Sequence, residues 1–170
     1  MTTSSVKATR ESPIELSPDE FRARGHELID HIADFLGTLP ERPVTSGESP
    51  REIRQALRAG NQLPTGGSAA GPLLERAAGL LRDHSLFNSH PRFWGYITAP
   101  AAPLGILGDL LASAMNPNCG GWALSPMASE IEAQTVRWIG ELIGFPSDGG
   151  LMVSGGNMAN FVGFLAARSA

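Results

Sequence analysis

The residues of this sequence best suited to chemistry are Ser-Gly-Gly-Asn at 154–157, which follow a short apolar run and precede a long alanine-rich segment. That order is typical of a strand, a tight glycine turn and a buried helix. Adjacent glycines let an anionic group approach the backbone without meeting a Cβ, and a helix N-terminus carries roughly half a positive charge. Gly155, Gly156 and Asn157 are therefore candidate phosphate ligands, with Asn157 also able to cap the helix.

A plain strand-to-helix turn, in which the glycines serve only the bend, explains the same residues and is the simpler interpretation of them alone. The two best-known phosphate loops, G-x-x-x-x-G-K-[ST] and G-x-G-x-x-G, do not occur at this position. The single lysine of the chain is Lys7. A phosphate bound here would need a loop of another type.

Composition restricts the class of protein. The chain has 170 residues, room for one domain or pieces of two. A net charge of −4 without a basic block gives no indication of nucleic acid or an anionic membrane as partner. The longest apolar stretch, 104–115, contains Asp109 and is too short to span a bilayer. With Cys119 as its one cysteine, and with no apolar signal-peptide core, the chain suits the cytoplasm.

The N-terminal half contains the signals of three modest helices. Residues 1–16 are expected to be a flexible tail. Ser17 and Ser49 each begin a capping box with proline next in sequence, which predicts helices up to about residues 36 and 58. A third helix is predicted over 73–81. Because such helices joined by long loops make a poor core, residues 17–88 are interpreted as an arm that packs on something else, such as a second copy of the chain.

The segment 88–103, NSHPRFWGYITAPAAP, sets aromatic side chains among prolines and glycine. Aromatics on irregular backbone often line a binding pocket. They could equally form a hydrophobic plug that docks the helical arm, and the sequence leaves both open.

Two further helices precede the glycine turn. Residues 104–115 are apolar on nearly all faces, which predicts a buried helix. A second helix is predicted from a Ser125 cap to about 143, ended by Gly144 and Pro146. Its Glu130 and Glu132 are interpreted as partners of the helix dipole rather than as acid–base machinery, and no metal site is expected in the chain.

Three segments in this order resemble the group II pyridoxal-phosphate-dependent decarboxylases, which include the aromatic-L-amino-acid, glutamate and histidine decarboxylases. They read HPRFWGY, WALSPMASEIEAQTVRWIGELIGFP and GGLMVSGGNMANFVGFLAAR. The family pattern at the turn is close to S-G-G-[ST]-E-A-N, and this chain departs from it at Asn157 and Met158. The resemblance covers about residues 12–170 and is strongest in the last eighty.

The resemblance implies an α/β fold of the aspartate-aminotransferase type (fold type I), of which this chain, mostly helical, would be the N-terminal part. It implies pyridoxal 5'-phosphate as cofactor, an amino acid as substrate and a homodimer wrapped by the arm, with the large domain starting at 89. Gly155, Gly156 and Asn157 would contact the cofactor phosphate. The loop at 118–121 would reach the other subunit, and the substrate pocket would be lined by Trp94, Tyr96, Ile97 and Thr98.

The same resemblance places the Schiff-base lysine and the other catalytic groups downstream of the glycine turn. No catalytic residue is therefore assigned to these 170 residues, and the chain alone is expected to be inactive because Lys7 lies in the predicted tail. Two other classes stay open: a non-catalytic helical dimerisation remnant, and another fold-type-I enzyme such as an aminotransferase or a lyase. One strand, at 150–154, is predicted.

Overall fold

A computed structural model of the chain describes residues 14–58, 62–145 and 149–169. Throughout those ranges the regular structure is helical, and the chain divides into two compact units, residues 1–101 and 102–170. Short 3₁₀ turns occur at Leu39–Glu41 and Trp122–Leu124. The α-helices are α1 (Pro18–Thr38), α2 (Pro50–Leu57), α3 (Ala70–Asp83), α4 (Pro103–Met115), α5 (Pro126–Leu142) and α6 (Gly156–Ser169).

The predicted starts of α1 and α2 are confirmed. The Ser17 hydroxyl accepts from the Glu20 N–H at 3.2 Å, and the Glu20 carboxylate accepts from the Ser17 N–H at 3.0 Å. Ser49 and Glu52 make the same reciprocal pair. Hydrogen bonds from the capping serines lower the pKa of both glutamates below the ordinary value, so these caps are strongest when the carboxylates are ionised.

The proline-rich connection after α1 is tied to the end of α3. The rings of Phe35 and Phe87 lie 5.1 Å apart between centroids, and the Phe87 N–H donates to the Val44 carbonyl at 2.9 Å. His84 Nδ1 lies 2.8 Å from both carboxylate oxygens of Glu48. These contacts hold the first unit together where the helices alone bury little.

Helix α3 packs against α1 and begins at Ala70, three residues before its predicted start. Arg24 forms an ion pair with Glu27 at 2.8 Å on the facing side of α1. A cavity of about 470 Å³ lies between the two helices; it is lined by Arg24, Glu27, Leu28, His31, Gly71, Pro72, Leu74 and Glu75. His31 thus lies in a polar interhelical cleft.

Burial is sparse throughout the part of the chain that the structure describes, where only Leu39, His90 and Gly140 are buried. The prediction that the apolar helix α4 is buried is wrong for this chain: its leucines and Met115 are half or more exposed. The physical reason is that no strand among the described residues packs against the helix. A helix that is apolar on every face stays exposed when no other element packs against it.

The strand predicted at 150–154 is also not formed. Residues 150–153 adopt no regular structure, and Leu151 and Met152 are 57% and 60% exposed. A strand needs a neighbour to complete its hydrogen-bond ladder, and none of the described segments supplies one. Pro146 and residues 1–13 of the predicted tail lie outside the described residues.

Candidate cofactor site

The glycine turn (residues 154–157) bends at Gly155. This residue has a φ of +84°, in the left-handed region that favours glycine. Its N–H donates to the Val153 carbonyl at 3.0 Å, and its carbonyl accepts from the Ala159 N–H at 3.1 Å. The second bond closes the first turn of α6, which begins two residues before its predicted start near Met158. Gly155 is therefore the residue that the bend itself requires.

Gly156 is different, because nothing among the described residues requires it to be glycine. Its φ lies outside the left-handed region, and a Cβ built on it would meet nothing within 4 Å apart from its chain neighbours and the backbone of its own helix. Such a Cβ would occupy free space at the N-terminus of α6, where an anion would sit. Gly156 is a glycine that the fold does not need, and it lies at the point where a phosphate would approach. It is therefore suited to contact a phosphate.

Asn157 lies inside the first turn of α6, so the interpretation of this residue as a helix cap is wrong. The side chain is exposed. The N–H groups of Gly156, Asn157 and Met158 precede the first helical hydrogen bond, and an α-helix provides no acceptor for such groups. Asn157 can therefore meet an anion with its backbone N–H as well as with its amide.

Glu130 and Glu132 have other roles than the predicted one. Neither carboxylate lies in the first turn of α5, so the assignment of both to the helix dipole is wrong. Glu130 accepts from the Trp122 indole N–H at 2.8 Å, and Glu132 accepts from the Met152 N–H at 2.8 Å. Ser125 does precede α5 but makes no side-chain capping bond. Glu130 instead holds the segment that precedes α5 in sequence, and Glu132 holds the segment that follows it.

The aromatic loop (residues 93–98) lies in the first unit and presents its side chains outward. The predicted substrate residues are all exposed: Trp94, Tyr96, Ile97 and Thr98. Tyr96 has a φ of +61°, which costs a residue with a Cβ about 1–2 kcal/mol. Its ring lies 6.0 Å from that of Phe93. A strained aromatic residue on a fixed loop is a common feature of ligand sites.

His90 anchors this loop and is only 2% exposed. Its Nδ1 accepts from the Arg92 N–H at 3.0 Å, so the proton of the neutral ring is assigned to Nε2, which lies 2.9 Å from the Arg42 carbonyl. The Phe93 N–H donates to the His90 carbonyl at 2.9 Å. This role of His90 was not predicted from the sequence. The His-Pro pair at the start of the loop is the signal that could have indicated a rigid backbone there.

Replacing His90 by alanine should lower the free energy of unfolding by about 1–2 kcal/mol, because the Arg92 N–H and the Arg42 carbonyl lose their part-buried hydrogen bonds to the ring. The loss is limited since the Arg92 side chain also donates to the Arg42 carbonyl, at 3.0 Å. Urea denaturation of the full-length protein measures the change. His26→Ala, on the exposed surface of α1, is the control and should stay within about 0.5 kcal/mol. Equal midpoints for the two variants would contradict the anchoring role.

Other kinds of site receive no support from the described ranges. Within them, no group of three or more His, Cys, Asp or Glu side chains could hold a metal ion. No helix there is long and apolar enough to cross a membrane. Cys119 is exposed with a free thiol.

The chain is similar to a number of known proteins, and the following three are examples. The chain is 31% identical over 163 residues to an aromatic-L-amino-acid decarboxylase of Bacillus atrophaeus, covering 92% of this chain and 32% of that protein. It is 28% identical over 131 residues to phenylacetaldehyde synthase of Petunia hybrida, covering 77% of this chain and 26% of that protein. The crystal structure of Oryza sativa TDC with PLP and tryptamine aligns with a TM-score of 0.69 and 26% identity, covering 81% of this chain and 27% of that chain.

The chain thus spans about a third of the length of the Bacillus relative and about a quarter of the other two. The structural likeness confirms the predicted fold class, an α/β fold of type I. The described residues are helical and belong to the N-terminal portion of that fold. Residues 63–170 match the family model described as the pyridoxal-dependent decarboxylase conserved domain, which is well over half of the sequence. The chain belongs to the pyridoxal-dependent decarboxylase family.

Proposed function

We propose that this chain is the N-terminal part of a pyridoxal-phosphate-dependent decarboxylase, a carboxy-lyase acting on an aromatic or related L-amino acid. The observation that carries the proposal is Gly156, a glycine with ordinary φ and open space where its Cβ would stand, at the N-terminus of α6. The family match and the aromatic-L-amino-acid decarboxylase relative support the reaction and the substrate class.

In this proposal Gly155, Gly156 and Asn157 hold the cofactor phosphate. Gly155 makes the bend, Gly156 leaves room for the phosphate oxygens, and the first-turn N–H groups donate to them. Bound pyridoxal phosphate would supply an electron sink for the electron pair left on Cα when the substrate carboxylate departs as carbon dioxide. The work of this chain is to bind and orient that group, since its own residues include no candidate for the covalent step.

The substrate side of the proposal rests on the aromatic loop. Trp94, Tyr96, Ile97 and Thr98 present a mainly apolar surface, which suits an aromatic amino acid. The start of the loop is held by the hydrogen bonds of His90 to Arg42 and Arg92. The loop at 118–121 is proposed to reach the active site of a second subunit.

Tyr96→Ala should raise the substrate KM several-fold and leave cofactor affinity unchanged, because Tyr96 is 84% exposed and its ring contact with Phe93 lies within the aromatic loop itself. Tyr96→Phe keeps the ring and is the control. Steady-state kinetics and a separate pyridoxal phosphate titration on the full-length protein measure the two quantities. A variant with normal KM would remove Tyr96 from the substrate pocket.

The assembly is proposed to be a cytoplasmic homodimer, with residues 17–88 as the dimerisation arm and the cofactor domain starting at 89. The support is the exposure of large apolar side chains on the arm, including Phe21 at 62%, Leu73 at 57% and Leu81 at 69%. Apolar faces of this extent are typical of an interface.

The test of the proposed reaction is product analysis with the full-length protein, pyridoxal phosphate and a panel of aromatic L-amino acids. Stoichiometric amine and carbon dioxide would support a decarboxylase. An aldehyde product would favour a second candidate, another reaction on the same fold, for which the likeness to Petunia hybrida phenylacetaldehyde synthase is the observation. A full-length protein that binds no pyridoxal phosphate would instead indicate a helical dimerisation remnant.

A further inference from the structure

The segment that enters the glycine turn is held to α5 at two points. The Met152 N–H donates to Glu132 Oε1 at 2.8 Å. A Cβ on Gly150 would lie 2.6 Å from Val136 Cγ1, so the backbone there lies directly on the helix surface. Because Glu132 and Val136 are four residues apart, they occupy the same face of α5. Both side chains are half-buried.

We infer that Glu132 is a positioning residue for the cofactor phosphate, acting through the backbone of Met152. Two residues separate Met152 from Gly155, and the Gly155 N–H donates back to the Val153 carbonyl at 3.0 Å. A shift at Met152 is therefore passed on to the bend and to the first-turn N–H groups beyond it. The inference rests on the proposed function, because it takes the phosphate of pyridoxal phosphate as the ligand.

The sign of the effect separates positioning from electrostatics. A carboxylate near an anion site repels the anion. If Glu132 acted only through its charge, its removal would strengthen phosphate binding. A positioning Glu132 does the reverse: alanine loses the acceptor and weakens binding, whereas glutamine keeps an acceptor oxygen and stays close to the parent protein.

The experiment uses the full-length protein with Glu132→Ala, Glu132→Gln and the control Glu130→Ala, which breaks a bond to Trp122 instead. Pyridoxal phosphate is titrated by fluorescence, and backbone hydrogen exchange is followed over 149–157 without cofactor. For Glu132→Ala we expect about a tenfold higher Kd, from loss of one charge-assisted hydrogen bond, and faster exchange in that peptide. For Glu132→Gln the Kd should stay within about threefold of that of the parent protein. Glu130→Ala should change neither the Kd nor the hydrogen exchange over 149–157.

A second route to the same displacement keeps the inference testable if Glu132→Ala does not fold. Gly150→Ala places a methyl group against Val136 and should lift the segment from α5, with the same loss of affinity and the same faster exchange. Adding Val136→Ala removes the obstructing methyl groups and should restore both. Failure of the double variant to restore them would overturn the inference.

The remaining outcomes are distinct. Cofactor binding by Glu132→Ala that equals or exceeds that of the parent protein, or unchanged exchange over 149–157, would overturn the positioning role while the proposed function stands. If the parent protein binds no pyridoxal phosphate but Glu132→Ala still speeds exchange, the proposed function fails. In that case the hold of Glu132 on the turn is supported, and its link to a phosphate is overturned.

Discussion

Gly156→Val is expected to weaken pyridoxal phosphate binding by the full-length protein about ten- to a hundredfold, a cost on the order of 1–3 kcal/mol. The added side chain would occupy the open space in front of α6 that the phosphate needs. Stability should change by less than about 0.5 kcal/mol, because the φ at this position suits any residue and valine is no worse than glycine in a helix. Equilibrium titration and thermal unfolding of the cofactor-free protein measure the two effects.

Two matched variants isolate the cause. Gly163→Val adds the same side chain to the same helix but two turns away from the phosphate end, and its Cβ would likewise meet nothing within 4 Å apart from chain neighbours and the backbone of α6. It should leave the Kd unchanged. Gly155→Val forces a Cβ into a φ of +84° and should cost about 1–3 kcal/mol in stability as well as affinity. If Gly156→Val binds cofactor like the parent protein, the glycine turn is only a bend.

Asn157→Ala distinguishes the two ways in which this residue could donate. Because Asn157 lies within the first helical turn, its N–H points out of the helix end whatever its side chain does. We therefore expect alanine to cost less than valine at Gly156. A loss as large as that of Gly156→Val would instead show that the side-chain amide makes the contact.

Local signals in the sequence predicted the helix starts well, and the reason is physical. A capping box is complete within four residues, so Ser17 with Glu20 and Ser49 with Glu52 form wherever the rest of the chain goes. The strand at 150–154 failed for the opposite reason. Its stability depends on a neighbour elsewhere in the fold, and apolar residues in a row carry no information about whether that neighbour is present.

The sequence proposes the residues of the candidate site, but it does not show what each of them does in the fold. Sequence alone treats Gly155 and Gly156 as an equivalent pair, and only the backbone φ shows that one serves the bend and the other leaves space. Glu132 was assigned to the helix dipole because it lies near the predicted start of α5, and its contact with Met152 could not be predicted because it spans 20 residues. The role of His90 depends on a carbonyl 48 residues away. Such contacts have no local pattern.

The 170-residue chain by itself is expected to unfold without a sharp cooperative transition. Within the described residues only three are buried, while α4, α5 and α6 expose large side chains such as Leu104 at 81%, Leu142 at 86% and Phe164 at 65%. Helices with uncovered apolar faces retain secondary structure but lack fixed packing, which is the signature of a molten state or of aggregation.

The measurement is a thermal scan of the isolated chain by far- and near-ultraviolet circular dichroism, with size-exclusion chromatography to establish its association state. We expect helical far-ultraviolet signal, weak near-ultraviolet signal, binding of a hydrophobic dye and a broad melt. The full-length protein, in which the same helices would gain their cover, is the control and should melt cooperatively. A sharp melt of a monomeric sample of the 170 residues would contradict the expectation, since it would require a core that these helices do not form among themselves.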